Sequence, residues 1–358
     1  VLGTIDMNVL SLFDGMSCGQ QALERAGIKV DNYFASEIDK YAIQVTMANY
    51  PNTKQLGSVV NVDGYSLPKI DILIGGSPCQ SFSFAGKRKG MSTKDEQEIL
   101  TLNHYLELKS EGFEFEGQSY LFWEYMRLLN EVKPKYFLLE NVMMGEKWEK
   151  VLSKAIGVKP IMINSALLSA QNRQRLYWTN IGLEPQGLFG DLETIIEQPK
   201  DKGILLRDIL ELEVNHKYFL SDRIIKGFLN KPAAWAKCFV PRDIYGKSDC
   251  LTTGQFQVGN NYIKIDKKGN VKNSQDKSSC ITAGGNSGGN HSDMDLIVNN
   301  INSLDYFGKI RRLTPKEFER LQTVKEDYTN HVSDTQRFRM LGNGWTVDVI
   351  VHILSYLK

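Results

Sequence analysis

The sequence has no C-x-x-C pair and no clustered His and Cys, so no zinc-binding spacing is present and no metal is expected. Its five cysteines, Cys18, Cys79, Cys238, Cys250 and Cys280, are odd in number and far apart. That is the pattern of free thiols in an intracellular chain, not of a disulfide framework. No apolar run approaches the length that spans a bilayer, and the N-terminus lacks the basic, apolar and small-residue succession of a signal peptide. Val1 to Asp6 precede Met7 and read as an added leader, with Met7 the expected native start. An excess of either charge is missing too. The formal net charge of +1 argues neither for nor against nucleic acid, because a DNA enzyme can gather its cations on one cleft.

What is present is an ordinary globular composition over 358 residues, enough for one large domain or two moderate ones. From Met7 to about Leu183, short apolar runs alternate with amphipathic stretches. Asn8 to Phe13, Tyr33 to Ser36, Ile70 to Gly76, Tyr136 to Glu140 and Arg175 to Asn180 are predicted strands. Gln20 to Ala26 is a predicted helix stopped by Gly27. Such alternation implies an α/β fold, a doubly wound and mostly parallel sheet with helices on both faces. From about Leu192 to Ser303, Gly, Asn, Ser and Lys become frequent and strands look short. Lys247 to Gly254 and Lys277 to Gly284 resemble each other, a weak duplication about thirty residues apart. Regular structure returns at Ile310. Thr314 can cap a helix with Pro315 at its first position and Glu317 three residues on. Trp345 to Leu357 has helical apolar spacing and is expected to pack back onto the first domain. The expected domains are residues 7–191, a smaller irregular strand-rich domain at 192–303, and a returning segment at 304–358.

Four places carry chemistry. The strand, glycine turn and helix from Leu10 to Gln21 let a ligand approach the backbone closely, and Glu37 ends the next strand, where a carboxylate can accept ribose hydroxyls. The turn is not G-x-G-x-x-G, which argues against a dinucleotide. In Gly75-Gly76-Ser77-Pro78-Cys79-Gln80, a cysteine follows Pro just past a buried strand, at the sheet edge where such folds bind ligands. An isolated cysteine is usually a small buried hydrophobe, but Pro and polar neighbours weaken that alternative. Glu140-Asn141-Val142 also follows a strand, and parallel strands would bring Glu140 beside Cys79. In Gln171-Asn172-Arg173-Gln174-Arg175 the two arginines alternate, so on a strand they share one face and could hold a phosphate or a base carbonyl.

In this order and spacing, the set resembles the cytosine-C5 DNA methyltransferase family. Phe13-Asp14-Gly15 through Gly19 looks like the first cofactor motif, and Pro78-Cys79-Gln80 like the catalytic loop. Glu140-Asn141-Val142 and Gln171 to Arg175 resemble the sixth and eighth motifs. Arg311 to Pro315 and Gly342-Asn343-Gly344-Trp345 resemble the ninth and tenth. The resemblance covers the chain from Met7 to its end, apart from the variable segment. It resembles the bacterial or phage type, with first- and tenth-motif features like the eukaryotic de novo enzymes. It implies the class I S-adenosylmethionine-dependent fold. It also implies a Cys79 thiolate that attacks cytosine C6, a Glu140 that carries a proton to N3, an Arg175 at O2 and an Arg173 supporting the site. The target base must leave the stack.

The same resemblance implies that Phe13, Asp14, Gly15, Ser17, Cys18, Gly19, Glu37, Ile38, Pro78, Asn343 and Trp345 line the donor pocket. S-adenosyl-L-homocysteine would be the product. The family's third-motif Gly-Asp here reads Gly57-Ser58-Val59, which puts Ser58 and Val59 at the adenine position without an acid. Gln80, Ser81, Ser83, Lys87, Arg88 and Lys89 are expected on DNA. Thr252, Thr253, Gln255, Gln257, Thr282 and Asn286 are expected to read base edges from a target-recognition domain. Met91 to Glu116 is a charged insertion that most relatives lack, expected either to be inert or to enlarge the catalytic loop and add DNA contacts.

The partner is expected to be double-stranded DNA, and the chain a monomer in a bacterial cytoplasm at the nucleoid, with no membrane. A cognate restriction endonuclease or a phage is the expected context. Two alternatives stay open: a transfer-RNA cytosine methyltransferase, and a silent DNA-binding homologue. The Asp/Asn-Pro-Pro-aromatic motif of amino-group methyltransferases is absent.

Overall fold

The computed structural model describes residues 7–78, 91–95, 97–186, 191–219, 221, 223, 264–265, 271–272, 296–298 and 310–358. The chain divides into two compact units. The first holds residues 1–163, 174–198 and 347–358, and the second 164–173 and 199–346.

In the first unit the chain runs β1 (Met7–Leu12), α1 (Cys18–Arg25), β2 (Val30–Ser36), α2 (Lys40–Asn49), β3 (Lys54–Gln55), β4 (Ile72–Gly76), α3 (Leu102–Ser110), α4 (Phe122–Val132), β5 (Tyr136–Val142), α5 (Glu146–Ile156), β6 (Ile161–Asn164) and β7 (Gln174–Thr179). These strands form one sheet in the order β3-β2-β1-β4-β5-β7-β6. β1 lies parallel to β2 and β4, and β4 parallel to β5. Val9, Leu10 and Leu12 of β1 and Ile72, Leu73 and Ile74 of β4 are all buried, the continuous apolar pattern of strands covered on both faces. Gly19 lets α1 approach closely: a Cβ there would lie 2.4 Å from Ile74 Cδ1 and 2.7 Å from Tyr33 Oη.

The predicted strands appear in place, and one detail differs from an all-parallel reading. β7 runs antiparallel to β5. The link from β6 to β7 is too short for the dozen or more residues of a crossover between parallel neighbours, so the chain turns back instead.

The insertion from Met91 to Glu116 is a packed lobe. Antiparallel bridges join Ser92 to Glu98 and Thr93 to Phe115, and Thr101 caps α3 by accepting from the His104 N–H. Met91, Ile99, Tyr105 and Leu108 belong to the same buried cluster as Leu10, Leu12 and Trp178. Phe115 stacks on Tyr120 with ring centroids 4.6 Å apart. The lobe carries seven carboxylates and two lysines, a balance that repels phosphate.

In the second unit lie α6 (Pro315–Leu321) and α7 (Asp334–Asn343). Thr314 caps α6 in the predicted reciprocal box: its hydroxyl accepts from the Glu317 N–H at 3.2 Å, and the Glu317 carboxylate accepts from the Thr314 N–H at 2.7 Å. The same carboxylate takes both terminal nitrogens of Arg311, at 2.8 and 2.7 Å, with the two side chains 1% and 0% exposed. α8 (Val347–Leu354) then rejoins the first unit, where Arg25 Nη1 of α1 lies 2.8 Å from the Asp348 carboxylate. This is the predicted return of the C-terminal helix. Residues 304–346 group with the second unit. Among the described residues, no helix is long and apolar enough to cross a membrane.

Breaking the Arg311–Glu317 pair strands a buried charge. Glu317→Gln is expected to cost about 3–5 kcal/mol in urea unfolding. An Arg311→Met, Glu317→Leu double variant is expected to recover a large part of that loss. A single variant as stable as the parent would contradict the assignment.

Candidate active site

The parallel register sets the site at the carboxyl edge of the sheet. Leu12 of β1 lies opposite Ser36 of β2 and Gly75 of β4, and Gly76 lies opposite Glu140 of β5. The turns after β1, β2, β4 and β5 therefore leave from one line.

The turn after β1 is left-handed at three positions, Phe13 (φ 57°), Gly15 (φ 59°) and Ser17 (φ 58°). Two of these carry side chains, a conformation that costs about 1 kcal/mol or more per residue and needs support. Asp14 provides much of it. Its carboxylate accepts from Tyr33 Oη at 2.7 Å and from the Ser17 hydroxyl. Thr46 of α2 donates toward Ser17 Oγ and the Gly15 carbonyl at 3.3 and 3.4 Å. Burial pushes the Asp14 carboxyl up from 3.8 to about 6, against the opposing hydrogen bonds from Ser11, Ser17 and Tyr33.

Glu37 closes the turn from the other side. One carboxylate oxygen accepts from the Gly15 N–H at 2.8 Å, and the other from the Ile38 and Asp39 N–H groups at 2.7 and 2.8 Å. The oxygen that takes the Gly15 N–H keeps a lone pair for a ligand's hydroxyl. Ile38 is 71% exposed, an open apolar surface beside that carboxylate. A Cβ on Gly15 would meet nothing within 4 Å, so the turn has open space at its face. Cys18 is buried at the start of α1. Ser58 precedes a single 3-10 turn, Val59–Asn61, with Val59 buried. These features suit a nucleoside-bearing donor: hydroxyl acceptor, apolar ring surface and unobstructed backbone.

On β5, Glu140 lies with Oε1 3.0 Å from Arg175 Nε of β7, and both side chains are largely covered, at 11% and 14% exposure. The antiparallel pairing of Val142 with Arg175 creates this approach. Asn141, which the sequence reading gave no role, donates its amide to the Ser77 carbonyl at 3.3 Å and to Ser77 Oγ at 3.1 Å. It fixes the backbone that leads to Pro78. Its position inside Glu140-Asn141-Val142 was the available signal.

Arg173 corrects an expectation. β7 begins at Gln174, so the two arginines do not share a strand face. Arg173 is 4% exposed and belongs to the second unit, where its guanidinium donates to the Gly342 carbonyl at 3.2 Å and the Gly344 carbonyl at 3.1 Å. Gln171 joins the same brace, donating to Gln322 Oε1 at 3.1 Å, while Gln322 donates to the Leu341 carbonyl at 2.7 Å. Arg173 thus shapes the backbone around Asn343, which is exposed, and Trp345, which is half-buried.

Cys79, Gln80, Ser81, Ser83, Lys87, Arg88 and Lys89 lie outside the described residues. So do Thr252, Thr253, Gln255, Gln257, Thr282 and Asn286, and with them most of the expected target-recognition segment. Among the described residues, no cluster of His, Cys, Asp and Glu is arranged to hold a metal.

A doubly wound sheet with a left-handed turn after β1, an acid after β2 and a Glu–Arg pair beside β4 defines a methyltransferase of the class I fold. The family model of C-5 cytosine-specific DNA methylases matches residues 7–358, and the chain belongs to that family. It is a DNA cytosine-C5 methyltransferase. It is 27% identical to the type II methyltransferase M.NlaX of Neisseria lactamica, over 98% of this chain and 96% of that one. It is 26% identical to the type II methyltransferase M1.ScrFI of Lactococcus lactis subsp. cremoris, over 97% and 77%. The solved methyltransferase EhMeth of Entamoeba histolytica has the same fold, with a TM-score of 0.64 at 16% identity, over 98% of this chain and 97% of that one.

The raised Asp14 carboxyl fixes a pH dependence. A folded-state value above the unfolded one contributes stability below about pH 4 that is lost as pH rises through about 6. Asp14→Asn removes this loss. Its stability relative to the parent is expected to rise by up to about 3 kcal/mol between pH 4 and 7 in urea titrations. A pH-independent difference would contradict the burial.

Proposed function

We propose that the enzyme transfers a methyl group from S-adenosylmethionine to C5 of a cytosine flipped out of duplex DNA, through a covalent bond between Cys79 and C6. The single observation that carries this reading is the register that sets Gly76, three residues before Cys79, opposite Glu140, itself 3.0 Å from Arg175.

The donor would be held by Glu37 at its ribose, by Ile38 and Val59 at its adenine, and by the backbone of Phe13 to Gly19. When bound, it supplies an electrophilic methyl group on a sulfonium. The Cys79 thiolate adds to C6 as Glu140 passes a proton to N3, and C5 becomes enamine-like. Arg175 orients Glu140 and faces O2. After C5 takes the methyl group, its proton leaves to a base, the thiolate is expelled, and N3 returns its proton to Glu140. Asn141 is a positioning residue through Ser77, and Arg173 one through Gly342 and Gly344.

Gln80, Ser81, Ser83 and Lys87 to Lys89 would engage the DNA backbone near the flipped base, and the segment 192–303 would read the sequence. The relatives named as type II methyltransferases of bacteria favour a restriction-modification setting in a bacterial cytoplasm.

Labelled donor should methylate duplex DNA and leave transfer RNA unlabelled, and bisulfite sequencing should find one recurring site. Cys79→Ala should abolish transfer. Methylation of transfer RNA alone, or an active Cys79→Ala, would overturn the reading. Glu140→Gln should lower kcat about 10²- to 10⁴-fold in steady-state assays, with the donor Kd little changed. A full-speed Glu140→Gln would remove Glu140 from the chemistry.

A further inference from the structure

The lobe from Met91 to Glu116 grips one buried carboxylate. Tyr105 Oη and Lys109 Nζ, both on α3, donate to Glu124 Oε1 on α4, each at 2.5 Å. Glu124 is fully buried. Burial and the neighbouring carboxylate push the Tyr105 phenol far above its ordinary range, so its hydroxyl remains a donor. The other oxygen, Oε2, accepts from Arg127 Nε at 2.7 Å.

Arg127 carries the contact onward. Its Nη1 donates to Glu131 Oε1 at 2.7 Å, and its Nη2 to the Val59 carbonyl at 3.1 Å and the Val62 carbonyl at 2.9 Å. Glu131 Oε2 accepts from the Gly64 N–H at 2.9 Å. The turn that follows Ser58 is therefore held at both ends by α4, and the orientation of Arg127 is set by a carboxylate that the lobe clamps.

We propose that the lobe braces the adenine side of the donor pocket: Tyr105 and Lys109 lock Glu124, Glu124 orients Arg127, and Arg127 fixes the backbone of residues 59–62. Tyr105, Lys109, Glu124 and Arg127 are positioning residues in this scheme. The family's acid is missing at Ser58, so the placement of Val59 and its backbone matters more for adenine here. The inference rests on the reading of Ser58 and Val59 as the adenine wall.

The test is calorimetric binding of S-adenosyl-L-homocysteine to the full chain, with steady-state kinetics on duplex DNA. Tyr105→Phe keeps the ring against Phe115 and removes the hydroxyl, and Lys109→Met keeps the stem and removes the charge. Each should weaken product binding and raise the donor KM about 3- to 10-fold, with kcat at saturating donor within about two-fold. Lys94→Gln, which breaks only the exposed pair with Glu114, should leave the donor KM unchanged. An unaltered donor KM in both α3 variants, or an equal loss in kcat and in the KM for DNA, would overturn the brace. Should the variants fold poorly, amide exchange of residues 59–64 in soluble Lys109→Met decides: faster exchange there supports the brace, and unchanged exchange overturns it. Parent protein that binds no S-adenosyl-L-homocysteine would instead refute the donor reading itself.

Discussion

Parallel pairing in β1, β2, β4 and β5 forces their carboxyl ends to one edge, and the site depends on that constraint. Leu12 beside Ser36 and Gly75, and Gly76 beside Glu140, leave no freedom in where the following turns emerge. A one-residue slip of β4 against β5 would move Ser77 off Asn141 and put the opposite sheet face toward Glu140's side. Close packing opposes that slip, because Ile72 to Ile74 and Phe137 to Leu139 are buried together. Sheet stability and site geometry are here the same property.

Polar groups buried around that edge divide the remaining labour. Asp14 and Glu37 support a strained turn, Asn141 fixes the approach to Pro78, and Glu140 pairs with Arg175 across β5 and β7. In the second unit, Arg173, Gln171 and Gln322 shape the backbone around Asn343. Each of these groups is costly to bury without partners, and each has them. The net effect is a set of loops whose conformations are specified by side chains elsewhere in the chain, not by their own composition.

Much of this was legible in the residues. The apolar runs at β1, β2, β4 and β5, the Thr314 cap and the returning C-terminal helix all carry local signals of periodicity or capping. Glu37 stands just past β2, while Glu140, read as following a strand, lies within β5 near its carboxyl end, and Arg175 is the second residue of β7. The reversed direction of β7 was not legible, because alternation encodes which face is buried and not which way a strand runs. Arg173 misled because its partners, the Gly342 and Gly344 carbonyls, are remote in sequence. The packing of the lobe was not legible either. Its charges suggest a solvated loop, while Met91, Ile99, Tyr105 and Leu108 are too irregularly spaced to announce a packed face. Glu124, on an amphipathic helix, gives no local sign that it is fully buried.

The central claim is that Cys79 bonds to the target base during transfer. A duplex carrying 5-fluorocytosine at the recognised site tests it most directly, since fluorine cannot leave C5 as a proton does and the adduct cannot be resolved. Incubated with S-adenosylmethionine, the enzyme should form a complex that survives denaturing electrophoresis. Mass spectrometry should place the modified base on the Cys79 peptide. A complex that dissociates on denaturation, or an adduct on another residue, would contradict the account.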